Sequence, residues 1–398
     1  MTSTTTPAHD EHMSASPLND SIKLGRVAGF PLAMNWSVLV IAWLLTWSLA
    51  TTSLPHHAMG HAEVTYWLTG LATAVVFFGS LLAHELAHAL VARRHGVQVK
   101  GITLWLFGGI ATLGGEPPSP RADFQIAVVG PAASLGLAAV FQLIAVGLQR
   151  LGVGHLIVVA AAWLAGINVM LGVFNLLPGA PLDGGRVLRA FLWHRHGDRF
   201  RAAVTAAKAG AVVAFLLIGF GGLEFFAGVS MSGLWLVFVG WFVLSASRAE
   251  GADALMRGAL VGMTVAEVMS ARPVIALGSM SVDEFIDGDA PGRRHSAYPV
   301  VGPNGQIIGM LTQAQVRRVR RSNRSSTTVA DVALPLTAVP IASPDDALAG
   351  VAERLSIDEG GRALVFDQDR LAGILTMGDV FRSAELRRAG RTGHHLVG

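Results

Sequence analysis

Ser80-Leu-Leu-Ala-His84-Glu85-Leu-Ala-His88-Ala-Leu-Val-Ala92 sets an H-E-x-x-H pattern inside an otherwise apolar run. On a helix, residues four apart share one face about 6 Å apart, so the two imidazoles can grip a single ion. Glu85 falls one position round and can reach a water on that ion. The chemistry this suggests is that of zinc hydrolases, with two His ligands, a carboxylate base and a third ligand from elsewhere in the chain. Between Val27 and Ala92 the formal charges are Glu63 and Glu85 alone, which places the motif within a membrane span.

Composition agrees with that setting. Of 398 residues, 52% are hydrophobic and 14% charged, with a mean hydropathy of +0.51. A soluble domain is nearer to about a quarter charged, so an integral membrane protein with a soluble part is expected. The absence of cysteine excludes disulfides and thiolate metal sites and leaves His, Asp and Glu as strong ligands. Net charge is only +3 and the basic residues are clustered, so no nucleic-acid-binding face is expected. The start is rich in Ser, Thr and Asp, and residues 1–22 read as a disordered cytoplasmic tail rather than a signal peptide.

A spanning helix needs about 20 apolar residues. Runs of that kind lie at roughly 31–51, 66–92, 124–149, 155–177, 203–226 and 233–247. Residues 97–115 instead alternate and are glycine-rich, which predicts short strands or a hairpin. Six spans put both termini on one side, and the positive-inside rule selects it. Lys23 and Arg26, Arg93, Arg94, Lys100 and Arg121, Arg186, Arg189, Arg195, Arg199 and Arg201, and Arg248 all fall on the same side, with Arg150 alone opposite. Both termini are therefore expected in the cytoplasm and the protein in the cell membrane. His84 then lies about 15 Å below the cytoplasmic surface, from the 1.5 Å helical rise.

The third ligand that the residues suggest best is Asp183, in Pro178-Gly-Ala-Pro-Leu-Asp183-Gly-Gly185. It is the first charge after a neutral stretch from Leu151, and the prolines and glycines would break the fourth span where a carboxylate can turn toward the metal. Glu85 would take a proton from water and pass it to the leaving amine. The competing reading is a buried hydrogen-bonded cluster without metal. It leaves the interrupted Asp183 segment unexplained, and ionisable residues within a membrane mark functional sites by default. Asn168 and Asn175, seven apart on one face, could hold substrate backbone or stabilise the oxyanion, or could bond neighbouring helices. His56, His57 and His61 read as a solvated external loop, and Gly393-His394-His395 as a disordered end.

His84 to His88 with the later Asn175-Leu-Leu-Pro178-Gly-Ala-Pro181-Leu-Asp183-Gly184 resembles the site-2 protease family of intramembrane zinc metalloproteases. That family pairs H-E-x-x-H with N-x-x-P-x-x-x-L-D-G. Gly130-Pro131-Ala-Ala-Ser134 is similar to its G-P motif in the third core helix, and Phe107-Gly108-Gly109-Ile110 to its glycine-rich strand. The resemblance covers about residues 24–248. It implies one Zn2+ per chain held by His84, His88 and Asp183, with Glu85 as base. It also implies a substrate that is itself a transmembrane segment, for example of an anti-sigma factor or a membrane-bound regulator, cut within the lipid bilayer.

After Glu250 the composition turns mixed and an internal repeat appears. Thr264-Val-Ala-Glu-Val and Ser296-Ala-Tyr-Pro-Val-Val in the first copy answer Thr328-Val-Ala-Asp-Val and Arg362-Ala-Leu-Val-Phe in the second, with the starts roughly 64 residues apart. Each copy reads helix, strand, helix, strand, strand, helix. Tyr298-Pro299-Val300-Val301 with Gly305 and Gly309, and Gly373-Ile-Leu-Thr376-Met-Gly-Asp379, resemble a tandem pair of CBS domains. Such a resemblance implies an adenine nucleotide, with Thr376 and Asp379 at its ribose, and association into a homodimer. The first copy has Thr312 and Gln315, so one of two sites lacks its Asp. A dimerisation or gating module without ligand is the other reading.

The expected architecture is a polytopic α-helical membrane protein of about six transmembrane helices with a short β segment, followed by an α+β cytoplasmic CBS-pair domain. The expected boundaries are 1–22 tail, 23–250 metalloprotease domain, 251–321 and 322–390 the two CBS repeats, and 391–398 a disordered end. Two other functions fit less of the sequence. A CBS-gated transporter or channel explains neither half of the joint motif, and a metal-binding scaffold that does not cut has no need of Glu85.

Overall fold

The apolar runs form helices in the computed structural model, which describes residues 21–105, 108–228, 232–288, 296–357 and 361–393. The expected disordered tail up to residue 20 and His394-His395 lie outside the described residues, as does Phe107. Among them, six helices are long and apolar enough to cross a membrane. The first runs Ser37–His57, as α1 (Ser37–Ser48), one π-helical turn and α2 (Leu54–His57). The others in the first half are α3 (Glu63–Arg94), α4 (Pro120–Arg150) and α5 (His155–Asn175). The short α6 (Asp183–His196) follows, then α7 (Arg199–Phe226) and α8 (Ser232–Leu260). Their outward faces carry exposed Leu68, Leu71 and Val75 in α3 and Leu216 and Leu223 in α7. Apolar surface of that extent is matched by lipid rather than water. The protein is a multi-pass membrane protein.

The first span begins later than the hydropathy suggests. Its expected opening residues form β2 (Phe30–Asn35), which pairs with β1 (Ser21–Val27) as an antiparallel hairpin. The cause is local. Ala28 and Gly29 take positive φ of 51° and 88° and reverse the chain. Asn35 Oδ1 then accepts the Ser37 backbone N–H at 3.0 Å, starting α1 there. Residues 21 and 22, expected in the tail, belong to this strand. The glycine-rich segment forms β3 (Val99–Trp105) and β4 (Gly108–Leu113), an antiparallel pair. β2 pairs in parallel with β3, giving a four-stranded sheet in the order β1-β2-β3-β4 with β4 at an edge. Phe30, Leu32, Ile102 and Leu104 of this sheet pack on Leu81 and Ala89 of α3, the helix that carries the H-E-x-x-H.

The chain divides into two units, Met1–Ala252 and Asp253–Gly398. In the second, a 3-10 turn at Val265–Glu267 leads into β5 (Ser270–Ala271), β6 (Ala276–Leu277), α9 (Val282–Asp287), β7 (Ala297–Val301), β8 (Ile307–Thr312) and α10 (Gln313–Arg318). The second copy gives α11 (Val329–Val332), β9 (Leu334–Pro335), β10 (Ile341–Ala342), α12 (Leu348–Ile357), β11 (Arg362–Asp367), β12 (Arg370–Thr376) and α13 (Met377–Gly393). Each copy thus has one more strand ahead of its main helix than the sequence pattern suggests. Two residues make too short a run for periodicity to register.

Those short strands cross between the copies. The two sheets are ordered β10-β11-β12-β5 and β6-β7-β8-β9, so each is completed by a strand from the other copy. The cores follow. Val265 and Val268 of the first copy are buried with Leu348, Leu355, Val365 and Leu375 of the second. Val329 of the second is buried with Tyr298, Val300 and Leu311 of the first. The two sequence repeats are therefore not two self-contained structural blocks. Because the natural chain has no cysteine, the exchange can be tested directly. Ser270 and Ile374 are register partners across β5 and β12, so Ser270→Cys/Ile374→Cys is expected to form an intrachain disulfide, read as faster migration on a non-reducing gel. Each single variant should run as wild type. No shift in the double variant counts against the exchanged pairing.

Candidate metal centre

α3 is apolar nearly throughout, and its helical repeat brings His84 and His88 to one buried face with ring centroids 4.9 Å apart. Asp183 is the first residue of α6 and meets them there. His84 Nε2 and His88 Nε2 are 3.1 Å apart, and Asp183 Oδ2 is 3.1 Å from each. Among the described residues, this is the group of His and acidic side chains whose ligand atoms converge closely enough to hold an ion.

The donor set fits zinc. Tetrahedral zinc with bonds of 2.0–2.1 Å sets its ligand atoms roughly 3.3 Å apart, close to the observed triangle. The far side of each ring gives the reason the near side is free. His88 Nδ1 lies 2.5 Å from the Ile126 carbonyl oxygen, which can only accept, so the ring proton sits on Nδ1 and leaves Nε2 a lone pair. His84 Nδ1 is 2.8 Å from Ser134 Oγ, a hydroxyl that fixes the orientation of the ring. The His88 lone pair and the Asp183 carboxylate oxygen aimed at one point repel each other unless a cation lies between them.

α4 forms the wall behind the rings, and its sequence explains how they fit. A Cβ on Gly130 would fall on His88 Nε2 and lie 2.6 Å from His84 Nε2, so no other residue leaves that space. Pro131 lacks the N–H that would bond the carbonyl one turn earlier, which opens the helix ladder there. The neighbouring Ile126 carbonyl is the one turned to His88.

Glu85 sits on the adjoining face of α3 under the edge strand. Its carboxylate accepts a hydrogen bond from the Ala111 backbone in β4, and the Arg186 charge attracts it. A Cβ on Gly109 would overlap Glu85 Cγ and lie 2.8 Å from its Cδ, so the strand packs directly on the acid.

Residues that the sequence reading passed over hold α6 in place. Asp123, in the first turn of α4, is fully buried. Arg189 grips it with a fork, Nε to Oδ2 at 2.8 Å and Nη2 to Oδ1 at 2.7 Å, and Arg186 Nη2 is 3.6 Å from Oδ1. Burial works against the Arg189 charge, but the hydrogen bonds and attraction from Asp123 outweigh it and hold the guanidinium above its ordinary range. The clamp joins the helix behind the histidines to the helix that begins at Asp183. The available signal was a lone carboxylate abutting an uncharged span, with arginines three and six residues after Asp183.

The other expected site residues lie elsewhere. Asn168 is fully buried, its amide N–H donating to Leu164 O at 2.9 Å, with Oδ1 unpartnered among the described residues. Asn175 ends α5 and is half-buried. Neither is hydrogen-bonded to the triad among the described residues. Thr376 and Asp379 meet each other: Thr376 Oγ1 and N donate to Asp379 Oδ2 at 2.7 and 3.1 Å, and Asp379 N donates back to Thr376 Oγ1 at 3.2 Å. That is a helix capping box at the start of α13. Thr312 and Gln315 form the equivalent box in the first copy.

Residues 72–159 and 150–219 match peptidase family M50, and residues 265–322 match the CBS domain. Rip3 of Mycobacterium tuberculosis, whose name describes it as a zinc metalloprotease, is 49% identical over 372 residues, covering 93% of this chain and 94% of that one. The similarly named sll0528 of Synechocystis is 32% identical over 319 residues, covering 78% of this chain and 81% of that one. A solved site-2 protease from Methanocaldococcus jannaschii overlays with a TM-score of 0.41 at 26% identity, covering 58% of this chain and 95% of the other. The chain thus belongs to peptidase family M50, the site-2 proteases, with a CBS domain following its membrane helices.

Proposed function

We propose that the protein is a zinc-dependent intramembrane endopeptidase that hydrolyses a peptide bond in or near a transmembrane segment of another membrane protein. The observation that carries the reading is the convergence of His84, His88 and Asp183 at 3.1 Å with Glu85 on the next face of the same helix. Zinc held there by His84, His88 and Asp183 would supply a Lewis acid that polarises the scissile carbonyl and lowers the pKa of the attacking water. Glu85 takes the proton of the attacking water and returns it to the leaving amine. Ile126 O keeps the His88 ring proton on the far side of its imidazole, and Ser134 Oγ holds the His84 ring in place.

β4 has a free edge in the sheet order and packs on Glu85 through Gly109. A substrate unwound from its helix and added to that edge as a further strand would satisfy its backbone groups and lie over the acid. Asn168, whose Oδ1 is unpartnered among the described residues, and Asn175 are the side chains on α5 that we assign to the substrate backbone or oxyanion. The substrate would be a single-span protein such as an anti-sigma factor or membrane-bound regulator, with both termini of the protease in the cytoplasm of a plasma-membrane enzyme. The CBS pair would adjust access, binding an adenine nucleotide beside Thr376 and Asp379 and associating with a second copy.

Three variants in full-length protein test the site. Glu85→Gln, expressed with a panel of tagged single-span proteins, should retain zinc and lose cleavage by at least about 100-fold, the usual contribution of a general base. Asp183→Ala should lose both zinc and cleavage. Gly109→Ala should retain zinc while cleavage falls, because the added methyl displaces Glu85 without touching a ligand. Wild type purified without zinc under metal-retaining conditions would remove the peptidase reading and favour an ion pathway through the same residues.

A further inference from the structure

We propose that Ser247 is a positioning residue for the third metal ligand, fixing through Ala180 where Asp183 meets the two histidines. The inference rests on Asp183 being a ligand. Residues 176–182, Leu-Leu-Pro-Gly-Ala-Pro-Leu, connect α5 to α6 and offer no polar side chain of their own. A non-helical backbone at membrane depth must find its hydrogen bonds on neighbouring elements. Ala180 finds two. Its N–H donates to Ala206 O of α7 at 3.1 Å, and its carbonyl accepts from Ser247 Oγ of α8 at 2.5 Å.

The contact is built for that carbonyl. Ser247 is 1% exposed, and its hydroxyl also lies 2.7 Å from Val243 O of its own helix. A Cβ on Gly210 would meet Ala180 O and lie 2.6 Å from Ser247 Oγ, and one on Gly179 would meet the Gly210 backbone. Glycine on both sides lets the loop backbone press against α7 while the serine reaches it from α8. Leu182 N donates to Gly179 O at 3.0 Å and Gly185 N to Leu182 O at 2.9 Å, so the turn from Ala180 to Asp183 is a single hydrogen-bonded piece. One turn beyond Ser247, Glu250 adds attraction for Arg189, the residue that clamps the far side of α6. Asp183 is therefore held from its N-terminal side by Ser247 and from its C-terminal side by Arg189 and Asp123.

The test uses full-length protein in detergent or nanodiscs. Zinc retention is followed against increasing chelator, the visible spectrum of the cobalt-substituted protein is recorded, and kcat and KM are measured separately. Ser247→Ala should hold metal about tenfold less tightly, within the range expected when a ligand's supporting contact is lost. It should change the cobalt spectrum and lower kcat with KM little altered. Ser247→Thr, which keeps the hydroxyl, should recover all three. If the alanine variant is not recovered folded, Ser247→Cys, with a weaker donor of similar size, takes its place against threonine. Wild-type metal retention and spectrum in Ser247→Ala would overturn the proposal, as would equal impairment of the alanine and threonine variants. Asp183→Ala run alongside separates the two inferences: metal retained there removes the ligand assignment itself, whereas metal lost there with Ser247→Ala unchanged removes only the role of Ser247.

Discussion

His84 Nε2, His88 Nε2 and Asp183 Oδ2 crowd to within 3.1 Å of one another inside a bundle whose outer faces are apolar. Taking such groups out of water is costly, and setting the His88 lone pair against a carboxylate oxygen adds repulsion to the cost. A divalent cation reverses the sign of that interaction. Much of the surrounding chain then reads as what is needed to bring these atoms together. One helix supplies the rings, a second supplies the hydrogen-bonding partners that orient them, and a broken fourth span delivers the carboxylate.

Close approach is achieved mainly by leaving side chains out. Gly130 makes room for the imidazoles, Gly109 for Glu85, and Gly179 and Gly210 for the backbone leading to Asp183. Each lies where a methyl group would strike a reacting residue or the loop that carries one. Glycine within a helix costs up to about 1 kcal/mol relative to alanine. In α4 and α7 that cost is offset by contacts that no larger residue would permit. Once the fork between Asp123 and Arg189 is buried, leaving either charge alone would be far worse than keeping both.

The sequence carried the site more fully than the supports around it. His84, Glu85 and His88 share a local spacing, and Asp183 stands out as a charge in a neutral, Pro- and Gly-rich break. The spans were legible because hydropathy is a sum over many residues. β1 and β2 were not, because the hairpin depends on two positive-φ residues and on one Asn35 side chain that ends the strand. Asp123, Arg189 and Ser247 were missed for a different reason. Each acts on a partner 66 or 67 residues away, and no periodicity records a contact of that range. The Thr376 and Asp379 pair shows the opposite hazard. Its spacing stood out, yet the same side-chain box starts helical turns at Thr264, Ser281, Thr312 and Thr328. Capping alone is sufficient reason for that spacing. A ligand there would add to a role the residues already have.

The exchanged strands change how the C-terminal unit can respond. With β5 bonded to β12 and β9 to β8, neither copy can complete its sheet or bury its core alone. Val265 and Val268 lie in the core built around Leu348 and Leu375, although about 80 residues or more separate them in the chain. Shared cores of this kind do not deform piecemeal, because close-packed side chains pass a displacement to their neighbours. A ligand bound beside one copy would therefore act on both. The unequal helix starts, Gln315 in one copy and Asp379 in the other, then need not mean unequal influence. One occupied site is enough to bias the whole unit, provided it binds one packing of the shared cores better than another.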